Sequence, residues 1–356
     1  MCGRSLIVKV HARAAATKVD DGIVRSGRYV IFSCGLAVIT ECAREAHGTS
    51  CLKGKHLSWS HPSAEFADSG LPGSRFGFFV QFPHPGVEHQ PSTDAMTWNL
   101  KGHGRKFMVA KAKYLDSSGS AQTGEAVFWG EWEPPSDVVC RWPRSGAMPR
   151  ALHRPFWDIP QGTNARQNTD PRVFGDQMIF SNCRQGTMGR PSRMQRLTPG
   201  SVICFGSTLG GAFCVDTVFV VESVESWSPR ETADLGAGEA FQICAAESLC
   251  LSARELPKRL TLYRGATLDR PVNGMYCFVP CLPADAPDPR FPRPAVKLHR
   301  LIDSASTRGP RQSRSMAPEA MYEAWDSIRQ QICQQGLRLA TWVEAPPRRP
   351  GTAVPM

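Results

Sequence analysis

Apolar positions follow a strand-like pattern along most of the chain after residue 74. An aromatic-rich run from Phe76 to Phe82 is stopped by Pro83 and predicts a strand. Residues 106–114 alternate loosely between apolar and polar side chains. They are predicted to pair with residues 127–133 across a Ser-Ser-Gly turn. This pattern favours a fold dominated by β-structure.

The strongest local signal is a hairpin around the Gly-Gly pair at 210–211. The flanking arms, 201–206 and 213–221, are apolar on both faces, which is typical of strands in the middle of a sheet or barrel. A second, shorter hairpin is predicted from residues 259–263 and 275–279. The proline-rich stretch 280–294 is predicted to be a loop, because proline cannot donate a backbone hydrogen bond.

One helix is well marked near the C-terminus. Pro318 suits its first turn and Gly336 its end. An apolar stripe recurs at helical spacing: Met321, Trp325, Ile328 and Ile332. A shorter helix is predicted over 238–247, and a final strand over 337–343. The predicted fold class is α+β, with a curved or barrel-like, mostly antiparallel sheet and a few helices.

The pattern divides the chain into three parts. Residues 1–73 show weak periodicity and are predicted to be an accessory or poorly ordered extension. Residues 74–346 form the predicted main globular domain, and 347–356 a flexible tail rich in proline and arginine.

Composition agrees with an ordinary globular protein. The chain has 356 residues, of which 41% are apolar and 21% charged, and this excludes collagen, coiled-coil and fully disordered classes. The longest apolar run, 212–221, contains Asp216 and is too short to cross a bilayer. No secretion signal is evident, so the 13 cysteines are interpreted as reduced thiols of a cytoplasmic protein.

The net charge of +10 is concentrated in windows without acidic residues. One such window, between Asp176 and Asp216, holds four arginines: Arg184, Arg190, Arg193 and Arg196. If these windows converge in space they form an anion-binding face. The alternative is a set of solvated loops on unrelated sides of the molecule.

Two tryptophans and two carboxylates lie within five residues. On a strand, Trp129, Glu131 and Glu133 would share one face, with Trp132 on the other. The indoles could stack on a base while the carboxylates bind its edge. Glu131 could also act as a general acid or base. The alternative is a strand end with core tryptophans and solvated glutamates.

Two polar segments add candidate ligands. In the first, glycines flank His103, a candidate base, and are followed by Arg105 and Lys106 as candidate phosphate ligands. The alternative for it is a polar loop leading into a strand.

The second segment places Gln167 and Asn168 near Asp170. Their amides could bind a base edge, and Asp170 is a candidate acid or base. The alternative is a turn capped by its own side chains.

Cysteine and histidine recur in the N-terminal region, at Cys42, His47, Cys51 and His56. Four such ligands could hold zinc, but the spacing does not match standard zinc modules, and no metal is predicted.

Three local patterns resemble known families. Leu262-Tyr263-Arg264-Gly265 is similar to the opening motif of ADP-ribosyltransferases, which implies that Arg264 would hold a dinucleotide; the family's later motifs are not found. Residues 197–205 (LTPGSVICF) resemble a segment of PUA-like barrels of the ASCH and EVE types, which bind RNA or modified bases. Residues 129–136, with 105–107 upstream, also resemble a family of uncharacterised bacterial proteins, which implies no function.

Three functions are predicted in order. The first is recognition of a nucleic acid or nucleotide by a basic cleft lined with Trp and Glu. The second is an enzyme acting on a nucleotide-like substrate, with Glu131, Asp170 and His103 as acid/base groups. The third is a non-catalytic structural or interaction protein of a mobile element. Walker A, dinucleotide-fingerprint and serine-hydrolase motifs are absent, and no cofactor is predicted.

Overall fold

The structure is a computed structural model, and it describes residues 76–84, 86–89, 104–116, 118–158, 169–187, 190–228, 235–247, 249, 259–298 and 309–349. Strands form most of its regular structure, in two large mixed sheets and one small hairpin. Helices are few, so the α+β class is confirmed at this level.

The first sheet contains seven strands in the order β14-β1-β9-β10-β11-β6, with β13 paired to β10. Its strands are β1 (Gly77–Pro83), β6 (Ile179–Phe180), β9 (Val202–Leu209), β10 (Ala212–Trp227), β11 (Leu260–Gly265), β13 (Ala295–Val296) and β14 (Arg311–Met316).

The second sheet contains six strands in the order β15-β12-β3-β2-β5-β4, and β15 also pairs with β2. Its strands are β2 (Lys106–Leu115), β3 (Ala121–Gly130), β4 (Ser136–Arg141), β5 (Ala151–Pro155), β12 (Val279–Pro283) and β15 (Arg338–Val343). The extra pairing closes β2, β3, β12 and β15 into a ring. All strand pairs described are antiparallel except β1–β9 and β2–β5.

The central hairpin is confirmed. Strands β9 and β10 pair antiparallel from Leu209↔Ala212 onwards, and the turn glycines have φ of 56° and 83°. Such angles favour glycine, and they twist the turn to match the strands. Both strands lie inside the first sheet, as their two-sided apolar pattern indicates.

The C-terminal helix, α1 (Pro318–Gln334), is also confirmed, with proline in its first turn and its apolar stripe buried. Trp325 is 2% exposed, and its Nε1 donates to the carbonyl oxygen of Tyr276 at 3.1 Å. The bond satisfies the one polar atom of a large core side chain. The shorter helical segment comprises Glu239–Phe241 and a π-helical continuation, Gln242–Glu247.

The second predicted hairpin is wrong. Strand β11 pairs with β10 and β6 in the first sheet, whereas β12 pairs with β3 and β15 in the second. The chain crosses from one sheet to the other between them. Pro280 and Pro283 lie in β12, not in a loop, because the φ of proline is compatible with an extended strand even though it donates no hydrogen bond.

Strand β3 ends at Gly130, so the prediction that Glu131 and Glu133 share a strand face is also wrong. The two prolines that follow, at 134 and 135, cannot continue the ladder and turn the chain away. The position of Glu131 is therefore set by the loop that follows the strand.

The two sheets meet around a large aromatic and aliphatic core. Val218 on β10 exchanges two 2.9 Å backbone hydrogen bonds with Phe278, just before β12, which ties one sheet to the other. Within the described part of the chain, no helix is long and apolar enough to cross a membrane.

Candidate functional site

A group of five buried side chains, four of them charged, joins the two sheets at one end. We call it the ion network; its members are His84, Arg105, Glu131, Asp216 and Arg293. The side chains of all five are only 2–4% exposed. His84 follows β1 and Asp216 lies on β10, whereas Arg105 and Glu131 lie at the ends of β2 and β3. Both sheets therefore supply charges.

Arg105 is the centre of the network. Its Nη1 donates to Glu131 Oε2 at 2.6 Å, and its Nε lies 2.9 Å from Asp216 Oδ2 in an ion pair whose angle is poor for a hydrogen bond. Burial acts to lower the pKa of Arg105, but the two carboxylates outweigh it and raise the pKa. The guanidinium thus stays charged between the sheets.

The outer members complete the network. His84 Nδ1 lies 3.2 Å from Glu131 Oε2. Arg293 Nη1 donates to Ser207 Oγ at 2.7 Å and lies 3.8 Å from Asp216 Oδ2. Two guanidinium and two carboxylate groups balance formally. Removing one of the four charged members would leave a buried charge without its partner, which is destabilising.

Both candidate tryptophans are core residues. Trp129 is 4% exposed, and its Nε1 donates to the carbonyl oxygen of Phe291 at 2.9 Å. Trp132 is 3% exposed, donates to Pro135 and packs edge-on against Phe174. In this structure neither indole presents an open face on which a base could stack.

Asp170 anchors a loop. Its carboxylate accepts backbone N–H bonds from Ser181, Asn182 and Cys183 at 2.8, 2.8 and 2.6 Å. Burial raises the pKa of Asp170 to about 6, although these three donors act in the opposite direction. Both carboxylate oxygens are occupied, so the contacts seen for this candidate acid or base are structural.

Lys106 is fully buried beside the network. Its Nζ donates to the carbonyl oxygen of Pro134 at 2.9 Å, and burial lowers its pKa to about 7, with Glu133 acting to raise it. Glu133 is partly buried, and its backbone N–H donates to Thr169. The sequence predicts Arg105 and Lys106 as phosphate ligands, but their charged groups face protein atoms.

Two histidines lie near Lys106 and have low pKa values. Burial, together with the nearby charges of Lys106, His89 and Arg141, lowers the pKa of His153 to about 3. Burial and Lys106 likewise lower the pKa of His89 to about 4. The Nδ1 of His153 is 3.0 Å from Ser136 Oγ. Both imidazoles are neutral at pH 7.

A second charged region is exposed and consists of five arginines. We call it the arginine surface; it comprises Arg184, Arg190, Arg193, Arg196 and Arg259, all of them exposed. Its backbone includes the small hairpin of β7 (Gly186–Thr187) and β8 (Arg190–Pro191), followed by a 3-10 turn, Arg193–Gln195. Within the described residues, no carboxylate forms an ion pair with any of the five.

Hydrogen bonds hold the backbone of the arginine surface together. The carbonyl oxygen of Arg184 accepts from Ser192 Oγ at 2.6 Å. Gln195 Nε2 donates to the carbonyl oxygens of Gln185 and Arg259 at 3.0 and 3.2 Å. Arg259, which the sequence analysis missed, thus joins the cluster through a contact between residues far apart along the chain.

Arg264 is engaged elsewhere. Its Nε donates to Glu225 Oε1 at 2.7 Å and its Nη2 to the carbonyl oxygen of Leu235. The guanidinium that would hold a dinucleotide is thus bonded to protein groups on the neighbouring strand and loop.

The other candidates lie outside the described residues: His103, Gln167, Asn168 and the set Cys42, His47, Cys51 and His56. In the part of the chain that the structure describes, no three His, Cys, Asp or Glu side chains are placed to hold a metal ion. Comparison of the chain with protein-family models, with curated proteins and with solved structures finds no match.

Proposed function

We propose that the protein binds nucleic acid, and that it does so through the arginine surface. The observation that carries the proposal is that five exposed arginines, none paired with a described carboxylate, lie on backbone segments joined by hydrogen bonds. Guanidinium groups bind phosphate oxygens in a planar, bidentate way. The net charge of +10 adds long-range attraction for a polyanion.

The arginine surface favours contacts with phosphates over recognition of bases. Both tryptophans predicted to stack on a base are buried, whereas exposed guanidinium groups are well suited to bind phosphate oxygens. Phosphate contacts position a nucleic acid but carry no sequence information directly. We therefore expect affinity with little dependence on base sequence.

The experiment compares two charge-neutralising variants. Replacing Arg190, Arg193 and Arg196 together by Gln should weaken binding of a labelled oligonucleotide at least about tenfold, since each arginine contributes a charge-assisted contact. All three side chains are exposed, so folding should be unaffected.

The control uses Arg154, which is 50% exposed and paired with Glu125 at 2.8 Å. Arg154→Gln removes a positive charge outside the arginine surface and should leave affinity nearly unchanged. Equal affinity of wild type and the triple variant would refute the proposal.

We also propose that the fold contains a PUA-like barrel and that the protein is cytoplasmic. A PUA-like barrel is supported by the ring of strand pairings in the second sheet, whereas the PUA-like sequence pattern leads into β9 of the first sheet. A cytoplasmic location is supported by the 13 cysteines without a CxxC pair.

The enzymatic alternative remains a prediction. The contacts of its two described carboxylates favour a structural role, since Glu131 and Asp170 are 5% and 1% exposed and bonded within the protein.

A further inference from the structure

After β15 the chain continues as Pro-Pro-Arg-Arg, residues 346–349, and lies along Phe156 and Trp157. We call these the Pro-Arg segment and the aromatic pair. The backbone N–H of Trp157 donates to the carbonyl oxygen of Pro347 at 3.0 Å, and its carbonyl oxygen accepts from the N–H of Arg349 at 2.9 Å. Trp157 thus binds the backbone of the segment through both its N–H and its carbonyl group, as in a parallel β-bridge.

Side chains add a second set of contacts. The guanidinium of Arg349 lies 4.8 Å from the ring centroid of Phe156, and that of Arg348 lies 5.5 Å from the centroid of Trp157. Both distances fall in the range of cation–π interactions. The two rings are only 7% and 5% exposed in this arrangement, and each of the two arginines has its own ring.

The aromatic pair is buried and bonded to the second sheet. It directly follows β5, and the N–H of Phe156 donates to the carbonyl oxygen of Pro135, beside the start of β4. The Pro-Arg segment follows β15 after Glu344, whose N–H donates to the carbonyl oxygen of Lys111 at 2.8 Å, and Ala345. Adjacent prolines hold a peptide extended before it binds, which lowers the entropy lost on binding.

Backbone bonds to an extended peptide, combined with side chains seated on aromatic rings, are a common mode of peptide recognition. We propose that the aromatic pair is a binding site for an extended Pro-Arg peptide. The chain's own segment occupies this site in the structure, and a peptide of the same chemistry from a partner protein replaces it.

The test uses the full chain with a weakened internal occupant. Arg348→Ala/Arg349→Ala removes both cation–π contacts and keeps the backbone. A fluorescent peptide, Ala-Pro-Pro-Arg-Arg-Pro, is titrated against this variant and against wild type, and its anisotropy is measured. We expect binding to the variant that is at least about tenfold tighter than to wild type, because the tethered segment competes at an effective concentration in the millimolar range.

Three controls make the result specific. The peptide with both arginines replaced by alanine should lose most of its affinity. Trp157→Leu, added to the double variant, should abolish binding of the original peptide. The near-UV circular dichroism of each variant is compared with wild type, and Arg349→Ala alone, at an exposed position, repeats the titration with minimal risk to folding.

The double variant also removes two positive charges, which by itself weakens the repulsion of a cationic peptide. Trp157→Leu leaves the charge unchanged, so its comparison with the double variant separates this effect from binding at the aromatic pair. Absence of binding to both the double variant and Arg349→Ala would overturn the proposal. Equal binding with and without Trp157→Leu would overturn it as well, because the peptide would then be bound at another place.

Discussion

His153 should make the protein lose stability in acid. Its imidazole is 2% exposed, and burial, helped by Lys106, His89 and Arg141, lowers its pKa from 6.5 to about 3. Below pH 6.5 the unfolded chain therefore binds a proton that the folded chain does not. The contribution of His153 to stability is fully present above pH 6.5 and is lost as the pH falls towards 3.

The magnitude follows from the pKa difference. Each pH unit between the folded and unfolded pKa values corresponds to about 1.4 kcal/mol. Between pH 6.5 and 4.5, protonation of His153 in the unfolded chain should by itself lower the free energy of unfolding by about 3 kcal/mol. This is a large part of a typical stability of roughly 5–15 kcal/mol. Asp170 acts in the opposite direction, because burial raises its pKa to about 6, so the comparison must isolate the histidine.

The assay is urea unfolding of wild type and His153→Asn at pH 7.5, 6.5, 5.5 and 4.5. Asparagine can still bond to Ser136 but does not titrate. The variant is expected to be less stable at pH 7.5, and the gap should shrink by about 3 kcal/mol at pH 4.5. His89→Asn, at a partly exposed position, should show a smaller change. A gap that is constant with pH would refute the reasoning.

Two further substitutions test the fold. Arg105→Met should lower the free energy of unfolding by about 3–5 kcal/mol, because it leaves Glu131 and Asp216 buried without their shared partner; a loss below about 1 kcal/mol in chemical denaturation would show that the network is relaxed by water. Gly206→Ala should prevent stable pairing of β9 with β10, since a Cβ there would lie 2.0 Å from the carbonyl oxygen of Cys214; a variant with wild-type melting temperature would contradict the described register.

Local signals predicted the elements that depend on local chemistry. The glycine pair at 210–211 supplies its own turn geometry, and the stripe from Met321 to Ile332 supplies a buried helix face. The second hairpin failed for a different reason. Residues 260–265 form a strand close to the predicted one, but the other strand, 279–283, lies almost wholly in the stretch predicted to be a loop. The partners of both strands are decided by the crossing of the chain between the sheets, which no short pattern records.

The candidate site was harder to predict because its contacts are distant along the chain. Arg105 and Glu131 are 26 residues apart, and the arginine surface depends on Gln195 reaching the carbonyl of Arg259, 64 residues away. Whether a charge is buried or exposed also depends on such contacts. The arginines of the window between Asp176 and Asp216 are exposed, whereas Arg105 is buried.

The salt dependence of nucleic-acid binding tests the central proposal most directly. Contact of all five arginines of the arginine surface with phosphates predicts that the logarithm of the association constant falls with the logarithm of salt concentration with a slope of about −4.5 on duplex DNA. The triple variant at Arg190, Arg193 and Arg196 should lower the magnitude of that slope by about 2.7. An affinity independent of salt, or the same slope for both proteins, would contradict the proposal.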